Sequence, residues 1–435
     1  MAAGQQRALP LTFFDLVFWG FPPVQRLIFY DNADLLSVSD FTLGELPRFK
    51  KSLTAALHHF YPLAGKLTCE MAEGMAPEVV FSDGDTVPLT VAVSSDDFED
   101  LAGDHPRDTT RLHPLLPALR KHGGSRSQDV LAVQVTVFPR AGICIGTTLH
   151  HAVADGSSYA HFLRTWAEIH RLGPECRKVL EMDVPPLFDR GVVRDDAGLR
   201  EARRQAPQLD GWDLSRRPGV LLATFRFTDR QLRALGGHVE SQTSARCSPN
   251  ALACGAAWAG IVHARRSGSG RNVDREAASR AHFGFVTGCK PRASPPIPAN
   301  YFGNCLGVCR VEAGERGLTA AAIWRVIEGL AEEGRAFRDA RGWVRSVREY
   351  ASARAVTVAG SPKLRLYAAA DFGGAWGRPK KVEIASVERT GALALAESGR
   401  DGDGGGIEVG LALPRGEMEA FRPFFLDLFA SLSAS

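Results

Sequence analysis

Between Glu175 and about Leu221 the hydrophobic pattern of this chain dissolves. The stretch DVPPLFDRGVVRDDAGLREARRQAPQLDGWDLSRRPG is rich in charge, proline and glycine, the composition of a crossover rather than of a packed element. Patterned sequence lies on both sides of it, and each side mixes strand-like and helix-like segments in similar proportion. A chain interrupted in this way is expected to form two α/β units of similar size: residues 1–175, a crossover at 176–220, and residues 221–435. The length of 435 residues, against about 100–200 per domain, agrees with two.

Within the first half, Lys51 to Tyr61 predicts a helix stopped by Pro62. Asp129 to Phe138 is Val-rich and alternating, which predicts a strand, and Ile143 to Leu149 predicts another after the turn Arg140-Ala141-Gly142. Tyr159, Phe162, Trp166 and Ile169 recur at helical spacing, so Ser157 to Leu172 reads as a helix that Gly173-Pro174 ends. In the second half LLATFRF (221–227) reads as a strand, and Thr228 as the cap of a helix from Asp229 to Leu235. Ser248-Pro249 opens a helix running to about Arg265-Arg266. The loop SGRDGDGGG (398–406) reads as a hairpin tip.

Composition removes several functional classes. Lys and Arg number 52 against 49 Asp and Glu, so the net charge of +3 supplies no field for nucleic acid or an anionic membrane. Eight cysteines are scattered without a CxxC pair, which fits free thiols in a reducing cytosol and predicts no metal site. The apolar N-terminal run is broken by Asp15, and the window Ala251 to Ala264 is too short to cross a bilayer, so no membrane insertion is expected. GxGxxG, GxxxxGK[ST] and GxSxG are all absent, which argues against dinucleotide, P-loop and serine-hydrolase chemistry. The triplet Asp371-Phe372-Gly373 stands without any other kinase motif.

One segment carries chemistry. His150-His151-Ala152-Val153-Ala154-Asp155-Gly156 lies between the strand ending at Leu149 and the helix after it, a place where side chains are presented at a sheet edge. With 12 histidines, chance alone supplies roughly 0.7 HxxxD patterns; the longer HHxxxDG at a strand end is far rarer. An imidazole with a pKa near 6.5 can take a proton from a hydroxyl or amine at neutral pH, which contributes about 10²–10⁴-fold. Asp155 can hold the loop by hydrogen bonds or by pairing with a distant cation.

HHAVADG resembles the HxxxD site of the BAHD acyltransferases, plant enzymes that move acyl groups from coenzyme A thioesters to alcohols and amines. LTFFDL (11–16), YPLAGKL (61–67), NYFGNC (300–305) and DFGGAWGRPKKVEI (371–384) are similar to further segments of that family, in the family's order, and the likeness continues to FRPFFLDLFASL (421–432). The resemblance implies an α/β fold of two similar-sized chloramphenicol-acetyltransferase-like domains of mixed sheet and helices, with the active channel at their interface. It implies His151 as general base toward the acceptor, and Asp155 as a structural residue pointing away from the reacting centre. Asp155 would pair with a basic residue, either Lys290 or Arg292. Asp371, Gly373 and Gly377 fall on a supporting element, and Trp376 is its one donor that could face the tetrahedral oxyanion. This chain reads DFG-Gly374-Ala375-WG, two residues longer than the family pattern.

The resemblance implies direct transfer with no bound cofactor and no metal, the partners being an acyl-CoA and a small-molecule acceptor. NYFGNC and PKKVEI look most like the subgroup acting on anthocyanin, flavonoid or other phenolic glucosides, commonly with malonyl-CoA. Hydroxycinnamoyl-CoA is the alternative donor. The free carboxylate of malonyl needs a cation, for which Arg164, Arg171, Arg177, Lys178 and Arg292 are the candidates. A chain enclosing its own channel is expected to be a cytosolic monomer. Two other readings remain: a condensation-type domain, against which NYFGNC and WGRPKKVEI argue, and a non-catalytic relative that binds small molecules.

Overall fold

The computed structural model describes residues 6–433 apart from 32–36, 69–76, 124–126, 174, 176–183, 195–214, 269–279, 315–318, 333, 338, 354, 375 and 400–404. The described strands form three sheets. A five-stranded antiparallel sheet runs in the order Gln6–Pro10, Glu78–Ser82, Lys66–Thr68, Ser127–Asp129, Lys121–His122. A second sheet runs Lys381–Ile384 (β6), Val24–Asp31 (β1), Gly142–Leu149 (β4), Leu131–Phe138 (β3), Leu89–Val93, with its last pair parallel. The third has seven strands: Leu306–Gly314, Arg280–Gly288, Val356–Gly360, Leu393–Glu397, Ile407–Pro414, Val220–Phe227 (β5) and Arg107–Asp108 (β2). The architecture is mixed α/β.

The second sheet carries the site, and both its faces are covered. Ile28, Tyr30, Val133, Val135, Ile143 and Ile145 pack on one side against Phe49 and Leu53 of the helix Leu46–His59 (α1) and against Tyr159, Phe162 and Trp166 of Gly156–Leu172 (α2). On the other side Leu27, Phe29, Phe138 and Cys144 meet Val220 and Leu222 of β5. All eight residues of β3 are therefore buried, although its sequence alternates. Gln134 is held inside because its Nε2 donates to Pro114 O at 2.7 Å and to Thr136 Oγ1 at 3.0 Å, so its amide does not go unpaired in the core. The third sheet builds a separate core with the helices Asp229–Thr243, Pro249–Gly268 and Arg415–Ser433.

Each half of the chain lends a strand to the other's sheet. β6 pairs antiparallel with β1 (Lys381 opposite Phe29, Ile384 opposite Arg26). β2 pairs antiparallel with β5 (Leu222 opposite Arg107). The exchange is locked by a buried ion pair, Arg107 Nη1 to Glu383 Oε2 at 3.0 Å, and by Lys381 Nζ to Asp104 at 2.6 Å. Removing one partner of a buried pair costs about 3–5 kcal/mol, because the other charge is left uncompensated.

Two helices exceed what the sequence predicts. α1 begins five residues before Lys51, with Pro47 in its first turn, where its missing N–H is harmless. The helix from Asp229 runs through Gly236-Gly237 to Thr243 instead of ending at Leu235, because Leu232, Leu235 and Val239 all pack into the core. Among the described residues no helix is long and apolar enough to cross a membrane.

Candidate active site

β4 delivers the histidines. The His150 N–H donates to Val130 O at 2.9 Å, which extends the β3–β4 ladder by one residue, and Val153 N–H bonds back to His150 O at 3.1 Å to close a turn. Asp155 ends the turn as N-cap of α2: its Oδ1 accepts from Ser158 N–H at 2.9 Å and from Ser157 Oγ–H at 2.7 Å. Its Oδ2 accepts from the Cys305 N–H at 3.3 Å. The carboxylate thus faces the helix end and the 300–305 segment, with an ion pair to neither Lys290 nor Arg292. Lys290 comes nearer: its Nζ donates to Ser157 Oγ at 3.2 Å and to the carbonyls of Ala299 and Tyr301. Arg292 is exposed and donates to Gly288 O at 2.6 Å.

Three motifs far apart in sequence meet at His151. Asp15, of the LTFFDL segment, is fully buried. Its Oδ2 caps Thr12, and its Oδ1 accepts from both the N–H and the side-chain amide of Asn304, at 2.9 and 3.0 Å. Asn304 Nδ2 then donates to the His151 carbonyl at 2.9 Å. Phe18 stacks flat on the imidazole, with ring centroids 4.3 Å apart and planes 6° from parallel, and Phe21 leans on it at 5.8 Å. Ser158 Oγ and Gly303 exchange two further hydrogen bonds, at 3.0 and 3.1 Å. The described part of the crossover joins the same cluster: Leu187 bridges Tyr301, and Arg190 Nη1 donates to Tyr301 Oη and Phe302 O, both at 2.6 Å. Both halves of the chain are therefore needed to fix one ring.

The electrostatics keep the ring in its neutral form. Burial pushes the His151 imidazole down to about 4; its own carbonyl, Asp155 and Asn304 oppose the shift, and the Arg26 cation reinforces it. His150 is pushed to about 4 by burial and by its neighbour. His151 is neutral at pH 7. Its Nδ1 is buried, which leaves Nε2 as the nitrogen able to meet a substrate. Among the described residues no cluster of His, Cys, Asp or Glu could hold a metal ion.

The DFGGAWG segment lies elsewhere, at the far end of α2. Asp371 Oδ1 accepts from Gly373 N–H at 3.0 Å, and Gly373 and Gly377 both take a left-handed φ of +61° that lets the chain turn twice. A Cβ on Gly373 would also strike the Arg171 stem, at 2.7 Å from its Cγ. Trp376 does not face an oxyanion at His151. Its Nε1 donates to Glu45 Oε2 at 2.9 Å, and its ring stacks on Phe49 (5.2 Å, 9°) and meets His170 in the last turn of α2. At 1.5 Å per residue that turn is about 20 Å from the start of the helix. Gly374 has φ +56°, and Ala375 is outside the described residues. Arg164 and Arg171 are exposed on α2, about 12 and 22 Å along it from Gly156, so neither is brought beside His151. Arg177 and Lys178 lie outside the described residues.

Sequence reasoning does not reach the residues that surround His151. Asn304 lies inside NYFGNC and Asp15 inside LTFFDL, where it also breaks an apolar run, but neither segment by itself marks the contact between them. Arg26 was not considered, though a lone cation within the strand VQRLIFY was a visible signal.

The family model named Transferase family matches residues 3–427. A malonyl-coenzyme A:anthocyanin 3-O-glucoside-6''-O-malonyltransferase from Dahlia pinnata is 34% identical, covering 99% of this chain and 95% of that protein. Phenolic glucoside malonyltransferase 1 of Arabidopsis thaliana is 32% identical, covering 96% and 92%. Among solved structures, vinorine synthase superposes with a TM-score of 0.69 at 20% identity, covering 97% of this chain and 94% of that one, a likeness of fold. With His151 set where three segments far apart in the sequence meet, and relatives a third identical along nearly the whole length, the chain belongs to the Transferase family, the BAHD acyltransferases, and is a coenzyme A-dependent acyltransferase.

Proposed function

We propose that this chain transfers a malonyl group from malonyl-CoA to a sugar hydroxyl of a phenolic glucoside, such as an anthocyanin or flavonoid glucoside. The observation that carries the reading is His151 itself: a neutral imidazole with one nitrogen enclosed and its plane fixed by Phe18. The names of the relatives above, similar along the whole chain, favour malonyl and a glucoside. The acceptor hydroxyl gives its proton to His151 Nε2 as its oxygen attacks the thioester carbonyl. The tetrahedral intermediate expels coenzyme A thiolate, and the imidazolium returns the proton to that sulfur, so the enzyme ends as it began. The active channel would run between the two halves, with the protein a cytosolic monomer, since one chain supplies every part of the site described above.

A panel of malonyl-, acetyl- and coumaroyl-CoA against cyanidin and flavonol glucosides, read by mass, tests this. A malonyl mass shift on the glucoside is expected, and His151→Ala should lower turnover by about 10²–10⁴-fold. Undiminished turnover in that variant rules out the base, and transfer of coumaroyl in place of malonyl rules out the donor.

A further inference from the structure

Arg26 lies on β1 opposite Thr147 of β4, on the sheet face that packs against α2. It is only 5% exposed. Its guanidinium sits 4.1 Å over the Tyr159 ring, while its Nε and Nη1 are buried with no hydrogen-bond partner. No carboxylate among the described residues forms an ion pair with it; the neighbour that acts on it electrostatically is Tyr159. Arg107, just as deeply buried, has Glu383. A ring face offsets part of the cost of burying a cation but leaves the in-plane N–H groups unmet. An enclosed fork of N–H donors with no acceptor matches a planar carboxylate in shape and charge.

The position adds a second argument. Arg26 is close enough to His151 for its charge to disfavour the protonated ring. The reaction must form that protonated ring, so an uncompensated Arg26 opposes the very step the site performs. An anion resting on the guanidinium would cancel the opposition. In malonyl-CoA one methylene separates the free carboxylate from the thioester carbonyl that is attacked beside His151, so its anchor has to lie near His151. Arg164 and Arg171 are exposed and spaced along α2, away from that point.

We propose that Arg26 anchors the free carboxylate of the malonyl donor, and that the bound carboxylate in turn neutralises the cation facing His151, so that the substrate completes the catalytic electrostatics. The proposal rests on the malonyl reading and adds to it a selectivity mechanism: acetyl-CoA would leave Arg26 bare, and its deficit would lie in kcat as well as in KM.

The test compares kcat and KM for malonyl-CoA and acetyl-CoA with one glucoside acceptor in the wild-type chain, Arg26→Met and Arg26→Lys. Met keeps the length without the charge. The malonyl-to-acetyl ratio of kcat/KM should fall about 100-fold in Arg26→Met, about 2.8 kcal/mol at 1.4 kcal/mol per tenfold, and recover in part in Arg26→Lys. A purely structural Arg26 would lower both donors together and leave the ratio unchanged, which overturns the proposal. So does an equal loss of free coenzyme A binding, which would place a phosphate on the guanidinium instead. Calorimetric binding of malonate, with butyrate as control, separates this proposal from the donor reading. If the wild-type chain transfers coumaroyl and no malonyl, the donor reading fails; malonate binding that Arg26→Met abolishes would still uphold the anchor, and its absence would sink it. If Arg26→Met does not fold, the ratio in Arg26→Lys and malonate binding to the wild type decide in the same way.

Discussion

The His151 ring is defined by what is denied to it. Stacked on Phe18 and enclosed at Nδ1, the ring is poorly solvated as an imidazolium, and burial therefore holds it at about 4. A lowered pKa on a base means that the neutral, proton-accepting form persists as the medium is acidified. The kcat/KM profile of the free enzyme should accordingly stay level from pH 8 to pH 6 and fall only toward about pH 4; an acid limb near 6.5 in a pH–rate measurement would show the ring titrating as it does in water. The place of His151 in a turn between a strand and a helix was legible from HHAVADG and its flanks. The residues that hold it were not, because Asp15 and Asn304 are separated by 289 positions and no periodicity within either segment reports a contact of that range. The same blindness misassigned the Trp376 indole, whose partner Glu45 is 331 positions away.

The turn between β4 and α2 converts a strand direction into a side-chain position, and Asp155 is its hinge pin. One carboxylate oxygen closes the first turn of the helix and the other holds the 300–305 segment against it. Asp155→Ala removes the cap and strands the buried Cys305 N–H, so a stability loss of about 1–3 kcal/mol is expected by urea denaturation. Asp155→Asn keeps one acceptor oxygen and should lose less. Elements of this kind were largely readable: β4 and α2 begin within a residue of where alternation and helical spacing place them. What local pattern missed was burial on the second face of β3, where Gln134 and Thr136 look solvent-facing but are satisfied inside. It also missed the persistence of the Asp229–Thr243 helix through two glycines, which is decided by the core it packs on.

Across the whole molecule, the crossover divides the sequence more cleanly than it divides the structure. β6 and β2 are each built into the opposite sheet, and the Arg107–Glu383 pair sits where they pass. Residues 1–220 expressed alone should thus lack an edge strand and carry an unpaired Arg107. They should give no cooperative unfolding transition by circular dichroism, and co-expression with residues 221–435 should restore it. The lent strand also has a consequence in time. As the chain leaves the ribosome, β1 emerges early, but the strand that covers its outer edge follows about 350 residues later, on the order of 20–70 s at roughly 5–20 residues per second. For that interval the nascent chain displays the backbone of RLIF (26–29) as an open edge, the kind of template on which other unfinished chains pair and aggregate.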